Sequence, residues 1–241
     1  MKRSRLGLAT VLLGVLSMLP AAASFDTDPP KDAEFTYARI RFHMSFDGNF
    51  GRELPWHHDF PYAEEAFATF VKQVTNVYTA PNAYQIVDID SPDLFKFPFA
   101  YICEPGFLQL SDKDAHNLRE YLNRGGFLMV DDFRGNRDLN NLVYQMKKVF
   151  PNLELGPLDL SHPIFDMFYK VETLDVRPPY GSGPVQFYGL EDDNGRLMMV
   201  VNYNNDLGEV WQWLDEGSLP MQDAAESLKF GTNYLMYAFT H

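Results

Sequence analysis

Between residues 99 and 132 the chain alternates apolar runs with a signed helix, and this stretch constrains the fold most. Phe99–Cys103 is short and wholly apolar, as a strand covered on both faces must be. An amphipathic segment follows. Ser111 is placed to cap it and Asp114, three residues on, completes a capping box with Asp in place of Glu. Leu118, Tyr121 and Leu122 supply its buried face, and Asn123-Arg124-Gly125-Gly126 ends it with glycine where a left-handed residue is wanted. Phe127–Val130 is a second apolar strand, running into Asp131-Asp132. Two buried strands joined by a helix form a parallel crossover unit, which needs helices on both faces of its sheet.

The flanking segments extend this unit. Phe35–Phe42 is rich in β-formers and reads as a first strand. Residues 43–61 form a long loop holding Gly48, Gly51, Pro55, Trp56, His57, His58, Asp59 and Pro61, and a loop of that length in a compact domain is functional or mobile. Apolar residues at helical spacing predict a helix over Tyr62–Tyr78, and Tyr84–Ile89 a strand. Leu139–Phe150 is a further helix. Val185–Gly189 and Arg196–Tyr203 form strands around an Asp193-Asn194-Gly195 turn, and Gln222–Phe239 is a closing helix. The order predicts one α/β domain with a largely parallel sheet.

The amino terminus has a different character. Lys2, Arg3 and Arg5 precede an uncharged apolar run, Leu6–Leu19, then Pro20 and Ala21-Ala22-Ala23. This is the three-part pattern of a cleaved secretory signal, too short to span a bilayer. The expected organisation is a signal peptide over 1–23 and a single domain over 24–241, periplasmic or secreted, with no membrane association after cleavage. The formal net charge of −13 opposes nucleic acid, whose binding needs Lys/Arg clusters, so no nucleic-acid partner is expected. Cys103 is the only cysteine, which excludes an internal disulfide.

Five ordered pieces carry a family resemblance: Trp56-His57-His58-Asp59-Phe60-Pro61, Phe97-Pro98-Phe99, Leu122 through Asp132, His162-Pro163-Ile164-Phe165, and Asn233 through Ala238. Together they resemble the bacterial family called domain of unknown function 4159. That family is similar to the class I glutamine amidotransferase-like fold and to trehalose-utilisation (ThuA-like) proteins. The resemblance implies a flavodoxin-like three-layer αβα sandwich with a mostly parallel sheet. It implies no established activity. Amidotransferases of this fold place a nucleophilic Cys after a central strand. Here the corresponding strand, Phe127–Val130, ends in Asp131-Asp132-Phe133-Arg134-Gly135, so glutamine hydrolysis is not expected. Cys103 reads as a small buried residue at a strand end rather than a nucleophile, because Glu104 beside it disfavours the thiolate.

Ligands of open parallel sheets bind outside the carboxyl ends of the strands. The loops expected there bring His43, Trp56, His57, His58 and Asp59; Glu104; Asp131, Asp132 and Arg134; and Asn202, Asn204 and Asp206, with His162 as a further candidate. Trp56, His58, Asp59, Glu104, Asp131, Asp132, Arg134, Asn202 and Asn204 are the expected ligand-binding set; Asp59, Asp131, Asp132 and His162 are the catalytic candidates. Trp56 with carboxylates and amides suits a carbohydrate-like ligand. Histidine with carboxylates suits a metal-dependent or acid/base hydrolase. A protein-interaction module is the third reading. No fixed-spacing ligand pair such as HExxH and no phosphate loop is present, so no metal ligands and no cofactor are assigned. Asp131-Asp132 also suits a loop cap salt-bridged by Arg134 or Arg137, and His162 before Pro163 suits a turn.

Overall fold

The structure, a computed structural model, describes residues 33–44, 54–179, 183–214, 217 and 219–241. Residues 1–23, where the sequence leads one to expect a signal peptide, residues 45–53 of the long loop and Gly181-Ser182 lie outside the described residues.

Seven strands form one sheet: β1 (Phe35–Arg41), β2 (Thr79–Asp88), β3 (Phe99–Cys103), β4 (Phe127–Asp131), β5 (Gly156–Pro157), β6 (Gln186–Glu191) and β7 (Leu197–Tyr203). Their order is β2-β1-β3-β4-β7-β6-β5. The first five in that order are parallel, while at one edge β6 runs antiparallel to β7 and β5 antiparallel to β6. The helices are α1 (Tyr62–Val74), α2 (Asp112–Asn123), α3 (Gly135–Val149), α4 (Leu207–Gln212) and α5 (Met221–Thr240).

Strand alternation decides which face each side chain takes. Ala38, Ala100, Ile102, Leu128 and Val130 pack with Leu118 and Leu122 of α2 and Leu142 and Met146 of α3. Phe35, Tyr37, Phe99, Tyr101, Phe127 and Met129 pack on the other face with Phe67 and Val71 of α1, Trp211 of α4 and Phe230 and Tyr234 of α5. The result is a three-layer α/β fold with a mostly parallel sheet. Phe67 and Trp211 stack with centroids 4.4 Å apart, and α5 crosses them at Gly231, where a Cβ would stand 2.5 Å from the Trp211 ring. Among the described residues no helix is long and apolar enough to cross a membrane.

β3 spans the expected Phe99–Cys103, and α2 carries the expected capping box, Ser111 and Asp114 each bonding the other's backbone N–H. The β6–β7 hairpin turns through Gly195 at φ +79°. Two expectations are corrected. The helix over residues 62–78 stops at Val74, where Thr75 turns extended and its hydroxyl bonds Val71 O at 2.7 Å. β2 begins at Thr79 rather than Tyr84. The short helix α4 was not foreseen.

Candidate functional site

Side chains at the carboxyl ends of β1, β3, β4 and β7 determine how the loops there are held. Arg39 shares its face of β1 with Phe35 and Tyr37 and is completely buried. Its Nε pairs with Glu64 of α1, and its Nη1 donates to His58 O at 2.8 Å, Trp56 O at 3.4 Å and Cys103 Sγ at 2.9 Å. The thiol in turn donates to Pro55 O at 3.1 Å. One buried guanidinium and one thiol therefore tie down the backbone of residues 55–58 and fix where His58 and Asp59 emerge. Burial pushes the Cys103 thiol well up, so it stays protonated, as its structural reading requires.

Asp131 continues the Phe127–Met129 face of β4 and is fully buried. Its Oδ2 accepts Leu207 N–H at 2.7 Å and Gly208 N–H at 3.0 Å, docking the first turn of α4 on the sheet. Burial raises its pKa to about 7, against the pull of those amides. Asp206 precedes α4 and caps it, accepting Glu209 N–H at 2.9 Å. Asn204 N–H donates to Phe133 O at 3.1 Å, and its side chain accepts Gly135 N–H at 3.0 Å and donates to Pro184 O at 3.0 Å. It stitches the β4 and β7 loops together. Asn202 accepts the Tyr234 hydroxyl at 2.9 Å inside the core.

These constraints bring His58, Asp59, Asp132, Asp206 and Glu209 to one place. His58 Nδ1 lies 2.9 Å from Asp132 Oδ2 and 3.7 Å from Asp59 Oδ1. Arg134 Nη2 meets Asp132 Oδ1 at 3.3 Å from the rim. Asp59 and Glu209 stand carboxyl to carboxyl, and so do Asp132 and Asp206. All four acids are buried. Asp59 Oδ2 and Asp206 Oδ2 have no donor within hydrogen-bond distance. One ligand atom from each of His58, Asp59 and Asp132 lies within 4.8 Å of the others, and the same is true of Asp59, Asp206 and Glu209.

The electrostatics follow from that crowding. Burial, then the contact with Glu209, raises Asp59 to about 9. Burial and the neighbouring Asp132 and Asp59 push Asp206 well above the carboxylate range. The Asp132 hydrogen bond raises His58 to about 9. Glu104, at the mouth, is raised to about 7 by burial and by Asp132. The backbone is tense at the same points. Asp59, Glu104, Asp132 and Asn204 hold φ of 63°, 44°, 51° and 57°, and among the described non-glycine residues the only other positive φ is at Asn82. Four left-handed non-glycine residues thus gather in the loops at one sheet edge.

Other expected residues lie elsewhere. Trp56 is only 8% exposed and packs in the core, with Arg41 against its ring, so its indole offers no platform to a sugar. His43 pairs with Asp114 at the start of α2 at 3.2 Å, and His57 packs on Trp56 and Phe60. His162 caps a 3-10 turn through Ile164 N–H and meets Glu191, which pairs with Leu197 at the opposite end of β7. It is at the amino edge of the parallel strands, because β6 runs antiparallel to them, and is removed from the cluster. Glu209 was missed: the loop after β7 was expected, but not the six-residue helix that turns Glu209 back. A cavity of about 250 Å³ between α4 and α5 is lined by Asn205, Leu207, Val210, Arg177, Glu226 and Phe230, and by none of the five cluster residues.

A family model described as Domain of unknown function (DUF4159) matches residues 38–239, from the middle of β1 to the end of α5. The chain belongs to that family. The match takes in every residue of the cluster. No curated protein matches the chain.

Proposed function

We propose that the carboxyl-edge cluster binds a divalent cation and that the protein is a metal-dependent hydrolase. The observation that carries this reading is that Asp59 Oδ2 and Asp206 Oδ2, both buried among further carboxyl groups, have no hydrogen-bond donor. Like charges so placed require shared protons or a cation. The presence of His58 among them, with mutual spacings one ion could bridge, favours the cation. A bound cation acidifies water and polarises a carbonyl or phosphoryl oxygen. The carbohydrate-platform reading is not favoured, since Trp56 is buried.

The strand order β2-β1-β3-β4-β7, with helices on both faces, supports a flavodoxin-like, amidotransferase-like and ThuA-like ancestry. The absence of a cysteine after β4 supports departure from amidotransferase chemistry. Residues 2–23 support export, and amino-terminal sequencing of the exported protein should begin near Ser24.

Calorimetric titration with Mn²⁺, Zn²⁺, Mg²⁺ and Ca²⁺ tests the function, followed by ester, amide and phosphoester hydrolysis with the binding ion and with EDTA. Saturable binding and EDTA-sensitive hydrolysis are expected. Binding without hydrolysis of any class removes the enzymatic half, and no binding removes the whole reading.

A further inference from the structure

Resting on that cation-binding reading, we propose that the site holds two divalent cations bridged by the carboxylate of Asp59. Two ligand groups meet at this residue: His58, Asp59 and Asp132 on one side, and Asp59, Asp206 and Glu209 on the other. The two oxygens of Asp59 face different ways. Oδ1 lies 3.7 Å from His58 Nδ1. Oδ2 points at the start of α4, where a Cβ added to Gly208 would stand 3.3 Å from it. No hydrogen-bond donor reaches Oδ2, although Asp59 is only 7% exposed. Asp206 Oδ2 is without a donor in the same way, at 1% exposure. A single ion among His58, Asp59 and Asp132 leaves both of these oxygens unanswered, and a second ion answers both.

Charge leads to the same number. Asp59, Asp132, Asp206 and Glu209 carry four negative charges when ionised, and two dications balance them. One dication leaves two buried negative charges, with Arg134 on the rim paired to Asp132. Asp131, whose Oδ2 is taken by the amides of Leu207 and Gly208 and whose Oδ1 has no donor, belongs to neither ligand group and is left out of this count. The donors also differ between the halves. The first contains an imidazole and the second is all carboxylate, and Mn²⁺ accepts both. A carboxylate-bridged pair about 3.5–4 Å apart clamps the attacking and leaving oxygens of a hydrolytic displacement.

The test loads the protein with Mn²⁺ and reads stoichiometry by equilibrium dialysis and coupling by electron paramagnetic resonance. Two equivalents per chain are expected, with the broadened spectrum of an exchange-coupled pair rather than the six lines of isolated Mn²⁺. Glu209→Gln is expected to bind one equivalent and show the isolated six-line spectrum. Asp206→Asn should do the same while keeping a good cap on α4, so the second half is tested twice should one variant misfold by circular dichroism. One equivalent in the unaltered protein overturns the two-ion inference and leaves the one-ion reading standing. Two equivalents without coupling overturn the Asp59 bridge. No binding overturns both readings.

Discussion

Asp59 combines a backbone demand with an electrostatic one. Its φ of 63° is a conformation that Asp and Asn tolerate better than most side chains, so the position accepts few alternatives. Its carboxyl is buried against Glu209 and is raised to about 9. Asp59→Asn keeps the backbone preference, removes a carboxyl that burial forces to hold a proton, and gives Glu209 an amide donor in its place. It is expected to raise the stability of the cation-free protein by about 1 kcal/mol in urea melts. In the same variant cation affinity should fall on the order of 100-fold or more, since a ligand is lost rather than an outer-shell partner. A cation-free stability lower than that of the unaltered protein would argue that Asp59 is a satisfied structural residue. The pairing of Asp59 with His58 and Asp132 was open to sequence reasoning, because both segments end parallel strands or follow them. The left-handed conformations were not, because Asp and Asn occur freely in ordinary turns as well.

At the scale of elements, α2 and α4 show what sequence conveys and what it does not. The capping box, the apolar spacing and the terminal glycines of α2 are all local signals, and the helix runs as they predict. α4 has six residues, too few for a periodic pattern, and its start is fixed by a distant residue, Asp131, through two backbone amides. Thr75-Asn76-Val77-Tyr78 fails in the opposite sense: its apolar spacing extends the pattern of α1, but β-branched residues and the pull of β2 end the helix first. The two helices also predict separable mutants. Ser111→Ala removes the α2 cap and should cost about 1 kcal/mol of stability while leaving cation affinity unchanged. Gly208→Ala places a Cβ 2.8 Å from the Tyr101 hydroxyl and 3.3 Å from Asp59 Oδ2. It should destabilise by roughly 1–3 kcal/mol through overpacking and weaken cation binding as well. Calorimetry on the two variants side by side checks the contrast, and equal affinities would separate α4 from the site.

For the whole molecule, the parallel sheet brings five loops to one edge, and the acids gathered there make stability depend on pH. Asp59, Asp131 and Asp206 have folded-state pKa values above those of an unfolded chain, near 4. Above that pH the folded protein holds protons that the unfolded chain has released, so stability falls as pH rises. For Asp59 the fall continues to about 9. His58, raised from its ordinary value to about 9, contributes stability below about 6.5 that is lost as pH climbs through 9, with the same sign. Cation-free protein should therefore melt at progressively lower temperature from about pH 5 to about pH 8. A divalent cation at ~100 times its dissociation constant should add about 2.7 kcal/mol at the upper end and flatten the profile, releasing protons as it binds. A cation-free profile that rises over this range would remove the crowded-acid account. The layer architecture and most elements were legible because they rest on local periodicity. The cluster was legible as a set of loops, but its convergence depends on buried Arg39, whose reach across β1, β3 and α1 leaves no mark in the linear pattern.

The most direct test is an anomalous-difference map from crystals of the protein soaked in Mn²⁺. The account predicts a strong peak within bonding distance of His58, Asp59 and Asp132, with a second against Asp206 and Glu209. A map with no peak in the cluster, and with the Asp59 and Glu209 carboxyls still in contact, would show that protons rather than cations hold the acids together.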